Sequence, residues 1–138
     1  MTNLEMLFSF FERNNYQLIE KNYSPQSFGN YHYTFSNNYL VFRIVHDRSD
    51  EFLEMSCVID KNRWHDMDIL RCFLLHNDDL KNTMDMTIDE SISFLMDNFD
   101  VITKLFSKKN YNKTFSELDT LKLKRVRLIW SDDFILSE

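Results

Sequence analysis

The stretch RIVHDRSDEF, residues 43–52, sets His46, Asp47 and Arg48 side by side, with Asp50 and Glu51 close behind. Imidazole and carboxylate are the groups that general acid–base chemistry uses. Neighbours on a strand point to opposite faces, so these three diverge as a catalytic triplet. The run reads better as a buried strand end, with Ile44 and Val45, passing into a polar turn. Arg48 is placed there to pair with Asp47, Asp50 or Glu51. The turn is then either plain solvated surface or part of a partner-binding edge.

Other reactive side chains form weaker constellations. Cys72 and His76 are four apart and would share one face of a helix, with His65 in the same region and His32 and His46 on strands. Zinc needs three or four converging ligands, and no second pair has matching spacing. Cys57 and Cys72 lie in the apolar runs MSCVI and LRCFLL, which suits reduced, buried thiols. The acid pairs Asp78-Asp79, Asp89-Glu90 and Asp132-Asp133 diverge locally. They would act together only if folding brought acids to meet across elements. No Gly-flanked elbow presents a nucleophile. With one Gly (Gly29) and one Pro (Pro25), Gly-rich phosphate loops are excluded. The expectation is a protein with no catalytic residues, no cofactor and no metal.

Charge is more informative. The net charge of −6 is unevenly spread: residues 1–103 hold 8 Lys and Arg against 17 Asp and Glu, while residues 104–127 hold 8 against 2. An acidic body disfavours nucleic acid and attracts a basic partner. The basic segment, with Tyr111 and Trp130 beside it, offers stacking and phosphate contacts. It equally suits helix packing and internal neutralisation of the acidic body. Two acidic stretches, Asp47–Glu54 and Asp78–Glu90, stand beside the anchors Phe52, Trp64 and Met84 or Met86. Asp47, Asp50, Glu51, Glu54, Asp78, Asp79 and Asp85 are therefore the candidate partner-binding residues. The N-terminus has no basic leader, and no apolar run approaches a membrane span. A cytoplasmic protein with no membrane partner is expected.

The elements that must position these residues follow from periodicity. The length of 138 residues fits one domain, 1–138. Thr2 or Asn3 caps a helix carrying Leu4, Leu7, Phe8 and Phe11, which Asn14-Asn15 ends. Tyr16–Tyr23 offers a first strand, and 24–30 a loop. Tyr31, Tyr33 and Phe35 alternate up to Asn37-Asn38, a hairpin signal before the strand Tyr39–Val45. Phe52–Ile59 reads as the next strand. A helix is expected over Trp64–His76, and another from Thr87, where Thr87 and Glu90 have capping-box spacing. It carries the stripe Ile88, Ile92, Leu95, Phe99, Ile102 and Phe106. Residues 114–130 fit a final helix, although LKLKRVRL also alternates as a strand does. The fold class is α+β: an antiparallel meander of three to four strands after an N-terminal helix, packed against C-terminal helices.

This order of features resembles small bacterial immunity proteins of polymorphic-toxin systems. The similarity lies in the N-terminal helix LFSFFERNNYQLIE, the meander NYHYTFSNNYLVFRIVHDRSDEFLEMSCVI, and the Asp47-Arg48 pair closing a strand. It extends to the late helix with Asn98, Ile102 and Phe106. Ser49 stands where that group usually has Gly. The resemblance implies a cytosolic, non-catalytic inhibitor that binds a cognate toxin domain. Two other classes stay open: a small His/acid-dependent or zinc-binding enzyme, and a subunit or scaffold of a larger assembly that faces nucleic acid through residues 104–127.

Overall fold

The computed structural model describes residues 2–24, 26, 29–48, 50–75 and 85–136. Helix α1 (Asn3–Arg13) starts where the Thr2 hydroxyl accepts the Glu5 N–H. It stops at Asn14, and Asn15 turns the chain with φ 64°. Five strands follow: β1 (Gln17–Ser24), β2 (Asn30–Ser36), β3 (Leu40–Asp47), β4 (Asp50–Cys57) and β5 (Asp60–Asp66). They form an antiparallel sheet in sequence order, β1-β2-β3-β4-β5. The meander expectation holds with one more strand than foreseen.

That fifth strand replaces the start of an expected helix. Trp64 and His65 lie on β5, and helix α2 (Met67–Leu74) begins only after Asp66, whose carboxylate accepts the Ile69 N–H at 2.8 Å. The β4–β5 turn is built from Val58 and Ile59, two apolar β-formers that read as continuing strand. The Val58 N–H is tied to the Tyr39 carbonyl at 2.8 Å, and the chain reverses there without Gly, Asn or Pro.

The C-terminal half matches its helical pattern closely. Helix α3 (Ile88–Asp97) opens with the capping box, both halves formed: Glu90 N–H to the Thr87 hydroxyl, Thr87 N–H to the Glu90 carboxylate. Asn98 breaks the long stripe into α3 and α4 (Phe99–Leu105). Ile92, Leu95, Phe99, Ile102 and Phe106 nonetheless all reach the core. Residues 111–136 form one helix, α5 (Tyr111–Leu136). The helical reading of LKLKRVRL prevails because Phe115 and Leu118 are buried on the inner side, with Leu121 and Leu128 packed against the core.

The core sits between one sheet face and the helices. Phe11 stacks on Phe35 with centroids 4.6 Å apart, and Phe8 meets Tyr33 and Phe35 edge-on. Phe42 and Phe99 complete the cluster. Aromatic pairs of this kind add about 0.5–1.5 kcal/mol each beyond area burial. Tyr33, Phe35, Phe42, Ile44, Leu53 and Met55 are all buried on this side. Period-two alternation therefore sends Thr34, Ser36, Val41, Arg43, Val45, Glu54 and Ser56 to the opposite face. Among the described residues, no helix is long and apolar enough to cross a membrane.

Candidate functional site

The strand register arranges the second face in rows. Thr34 pairs with Arg43, and Arg43 with Glu54, which pairs with Asp66. Glu20 on β1 lies beside Thr34. One row thus runs Glu20, Thr34, Arg43, Glu54, Asp66 across five strands. The next row holds Asn22, His32, Val45 and Phe52, and the last holds Asn30, Asp47 and Asp50. Five carboxylates, from Glu20, Asp47, Asp50, Glu54 and Asp66, share this face with Arg43.

At its centre Arg43 is fixed on two sides. Its Nε donates to Glu54 Oε1 at 2.7 Å, and its Nη2 reaches the same oxygen. Its guanidinium lies 3.9 Å above the Trp64 ring. Both contacts to Glu54 go to one oxygen, so Oε2 is left for another donor. Beside this stack a groove of about 370 Å³ opens, walled by Ile19, Val41, Val58 and Trp64 and floored by Thr34, Ser36 and Ser56. The floor hydroxyls are already engaged. Ser36 donates to the Leu40 carbonyl, Ser56 to the Asp60 carbonyl, and the Thr34 hydroxyl lies 3.2 Å from His32 Nε2. The groove offers an apolar rim and a flat Trp–Arg platform.

The hairpin that raised the question of chemistry is split by its own register. Asp47 faces Asp50 across the turn, and His46 faces Glu51. Arg48 takes φ 59° and its backbone N–H donates to Asn30 Oδ1 at 2.7 Å, while Asn30 Nδ2 donates to Asp47. His46 turns to the other face. There its Nδ1 lies 2.9 Å from Glu51 Oε1 and its ring stacks on Tyr31. Nearby Glu51 and burial both raise the Tyr31 phenol, burial being the larger cause. A carboxylate on Nδ1 fixes an imidazole tautomer, which is the geometry of a general base. Asp47 and Arg48 are not part of it.

The second acidic stretch is placed differently. Asp78 and Asp79 lie outside the described residues, as do His76 and Met84. Asp85 is exposed at φ 69°, and its N–H donates to Asp68 Oδ2 at 3.2 Å. Burial raises the Asp68 carboxyl in spite of that donor and a second from Met86. Met86 packs against the core. Trp64 belongs with the first acidic stretch, through Arg43 and Glu54. Its role was hidden because the segment was read as helix; a strand reading of DKNRWHD would have put Trp64 and Asp66 on one face.

Two cations of the basic segment, Lys122 and Arg125, turn inward at the β5 edge, while Lys104, Lys108, Lys109, Lys113, Lys124 and Arg127 are exposed. Lys122 Nζ lies 2.6 Å from His65 Nδ1 and donates to the Trp64 carbonyl at 3.0 Å. Arg125 Nη1 donates to both oxygens of Asp66, and Arg63 bridges to Asp119 at 3.0 Å. His65 is fully buried between Phe106 and Phe115. Burial, reinforced by Lys122, brings its pKa down to about 3. Burial likewise lowers the Lys122 ammonium. With Lys122 donating to Nδ1, the ring proton sits on Nε2, which has no partner among the described residues.

Cys57 and Cys72 are both buried free thiols, and burial pushes Cys57 up to about 12. Among the described residues, no three His, Cys, Asp or Glu side chains converge as metal ligands. No known family model, curated protein or solved structure matches this chain.

Proposed function

We propose that this chain is a non-catalytic binding protein, an inhibitor of the immunity type, that captures a basic toxin domain on the open face of its sheet. The observation that carries this reading is the Arg43–Glu54–Trp64 stack beside an apolar-rimmed groove. It is flanked on the same face by Glu20, Asp47 and Asp50. Trp and Arg are the side chains that most often dominate protein interfaces, and desolvated pockets concentrate their effect. The surrounding carboxylates favour encounter with a cationic surface and hold off an acidic one. Glu54 Oε2 is an acceptor for a Lys or Arg of the partner. Of the seven candidate contact residues, Asp47, Asp50 and Glu54 belong to this face. Glu51 does not, because it serves His46.

The test is co-expression with the products of neighbouring toxin-like genes. The chain is expected to rescue growth and to co-purify with one of them. Trp64→Ala with Glu54→Ala is expected to release that partner without unfolding the chain. Failure to rescue growth or co-purify with any such neighbour would remove the reading.

A further inference from the structure

Helix α5 has a second face that the core does not use. Its inner side is set by Phe115, Leu118, Leu121 and Leu128. On the outer side Leu123, Val126 and Trp130 follow at helical spacing, and Trp130 is 70 % exposed. Lys113 and Arg127 are exposed along the same helix. Glu117 and Asp119 oppose them, but Asp119 is already engaged by Arg63. The helix has 26 residues, roughly 39 Å at 1.5 Å per residue. The sheet is about 20 Å across, at about 4.8 Å per strand spacing.

The molecule therefore carries two unsatisfied, complementary surfaces. One is a sheet face with an apolar-rimmed groove lined by Glu20, and with Glu54, Asp47 and Asp50 further along the same face. The other is a helix face with an apolar stripe and cationic flanks. Helix on sheet is a standard way to bury both. Leu123, Val126 and Trp130 are exposed in the folded chain, so the sheet face of the same copy does not cover them. We propose that the open sheet face of one copy receives the outer face of α5 from a second copy. This rests on the reading of the open face as a docking surface, and it names an occupant present before any toxin arrives. The contact is head-to-tail, so the pair keeps one free sheet face on one copy and one free helix face on the other. Self-association is then reversible, strengthens at low salt, and competes with the basic partner for the same groove.

Purified full-length protein tests this by light scattering over a concentration series at low and high salt. Average mass is expected to rise with concentration at low salt and to fall back at high salt. Glu20→Lys with Asp50→Lys blocks only the sheet face, and Arg127→Glu with Trp130→Ser blocks only the helix face. Each variant alone is expected to stay monomeric with an unchanged circular dichroism spectrum. Their equimolar mixture is expected to form a one-to-one dimer that does not grow further. Leu123→Asp replaces the helix variant if that one fails to fold. A wild type that is monomeric throughout, a mixture that stays monomeric, or a folded variant that associates as wild type would each overturn the proposal. Toxin capture stays intact in the helix variant if only self-association fails. It survives unchanged in the sheet variant if the docking reading itself is wrong.

Discussion

His65 makes the stability of this protein fall in mild acid. The imidazole is fully buried, accepts from the Lys122 ammonium, and has its pKa lowered from 6.5 to about 3. An unfolded His65 binds a proton near pH 6.5, whereas the folded one resists it until near pH 3. The stabilisation is thus complete above the unfolded value and is lost as pH falls toward the folded value. Between pH 7 and pH 5 these two pKa values remove about 2 kcal/mol. A loss of this size is a substantial fraction of a typical domain's stability of about 5–15 kcal/mol. Asp68 acts in the opposite sense, since a raised carboxyl pKa adds stability as pH falls. Urea unfolding followed by circular dichroism at both pH values measures the net change. His65→Gln keeps an oxygen for Lys122 but cannot titrate. The wild-type stability should drop relative to this variant by about 2 kcal/mol across that interval. Parallel curves for the two proteins would refute the argument that His65 is held neutral.

Arg43→Ala strands a Glu54 carboxylate whose side chain is only 14 % exposed, at an expected cost of about 1–3 kcal/mol. Adding Glu54→Ala should recover part of that loss in a double-mutant cycle by urea titration, and strict additivity would show the pair is uncoupled. Thr87→Ala removes the α3 capping box and should cost about 1 kcal/mol in thermal or urea unfolding. Asn38 turns the β2–β3 hairpin with φ 73°. Asn38→Val should therefore destabilise by about 1–2 kcal/mol while Asn38→Gly stays near neutral, and equal effects from the two would deny that backbone strain is the cause.

How much of this was legible in the sequence depends on whether the signal was local. The α1 caps, the Asn37-Asn38 hairpin and the Thr87–Glu90 box are local, and the structure places each as expected. The stripe from Ile88 to Phe106 was also local, and only its break at Asn98 was missed. Strand β5 was not legible because its defining turn uses Val58 and Ile59, which carry no turn chemistry. The Val58 N–H only extends the β3–β4 ladder to Tyr39, and the turn is closed by the Ser56 hydroxyl donating to the Asp60 carbonyl. The same miss hid Trp64 as a neighbour of Arg43. Of the candidate acids, Asp47, Asp50 and Glu54 could be placed on one face only after β4 was aligned against β3. The same register puts Glu51 on the other face, beside His46.

The uneven charge along the chain acquires a structural meaning from these placements. The cationic segment after residue 103 and the acidic body are joined at β5, through Lys122, Arg125 and the Arg63–Asp119 bridge. Lys122 and Arg125, used in this way, are less available to a phosphate backbone, whereas the segment's other six cations stay exposed. On the open face Arg43 takes one oxygen of Glu54, Arg125 takes both of Asp66 at the β5 edge, His32 lies 3.7 Å from Glu20, and Asp47 accepts from the neutral Asn30. Internal pairing thus consumes positive charge at the helix edge and leaves negative charge on the sheet. That sheet face also carries the Trp64 platform and the groove, so polarity and shape select the same surface. Under the proposed function, a cationic protein surface is the partner that would use both.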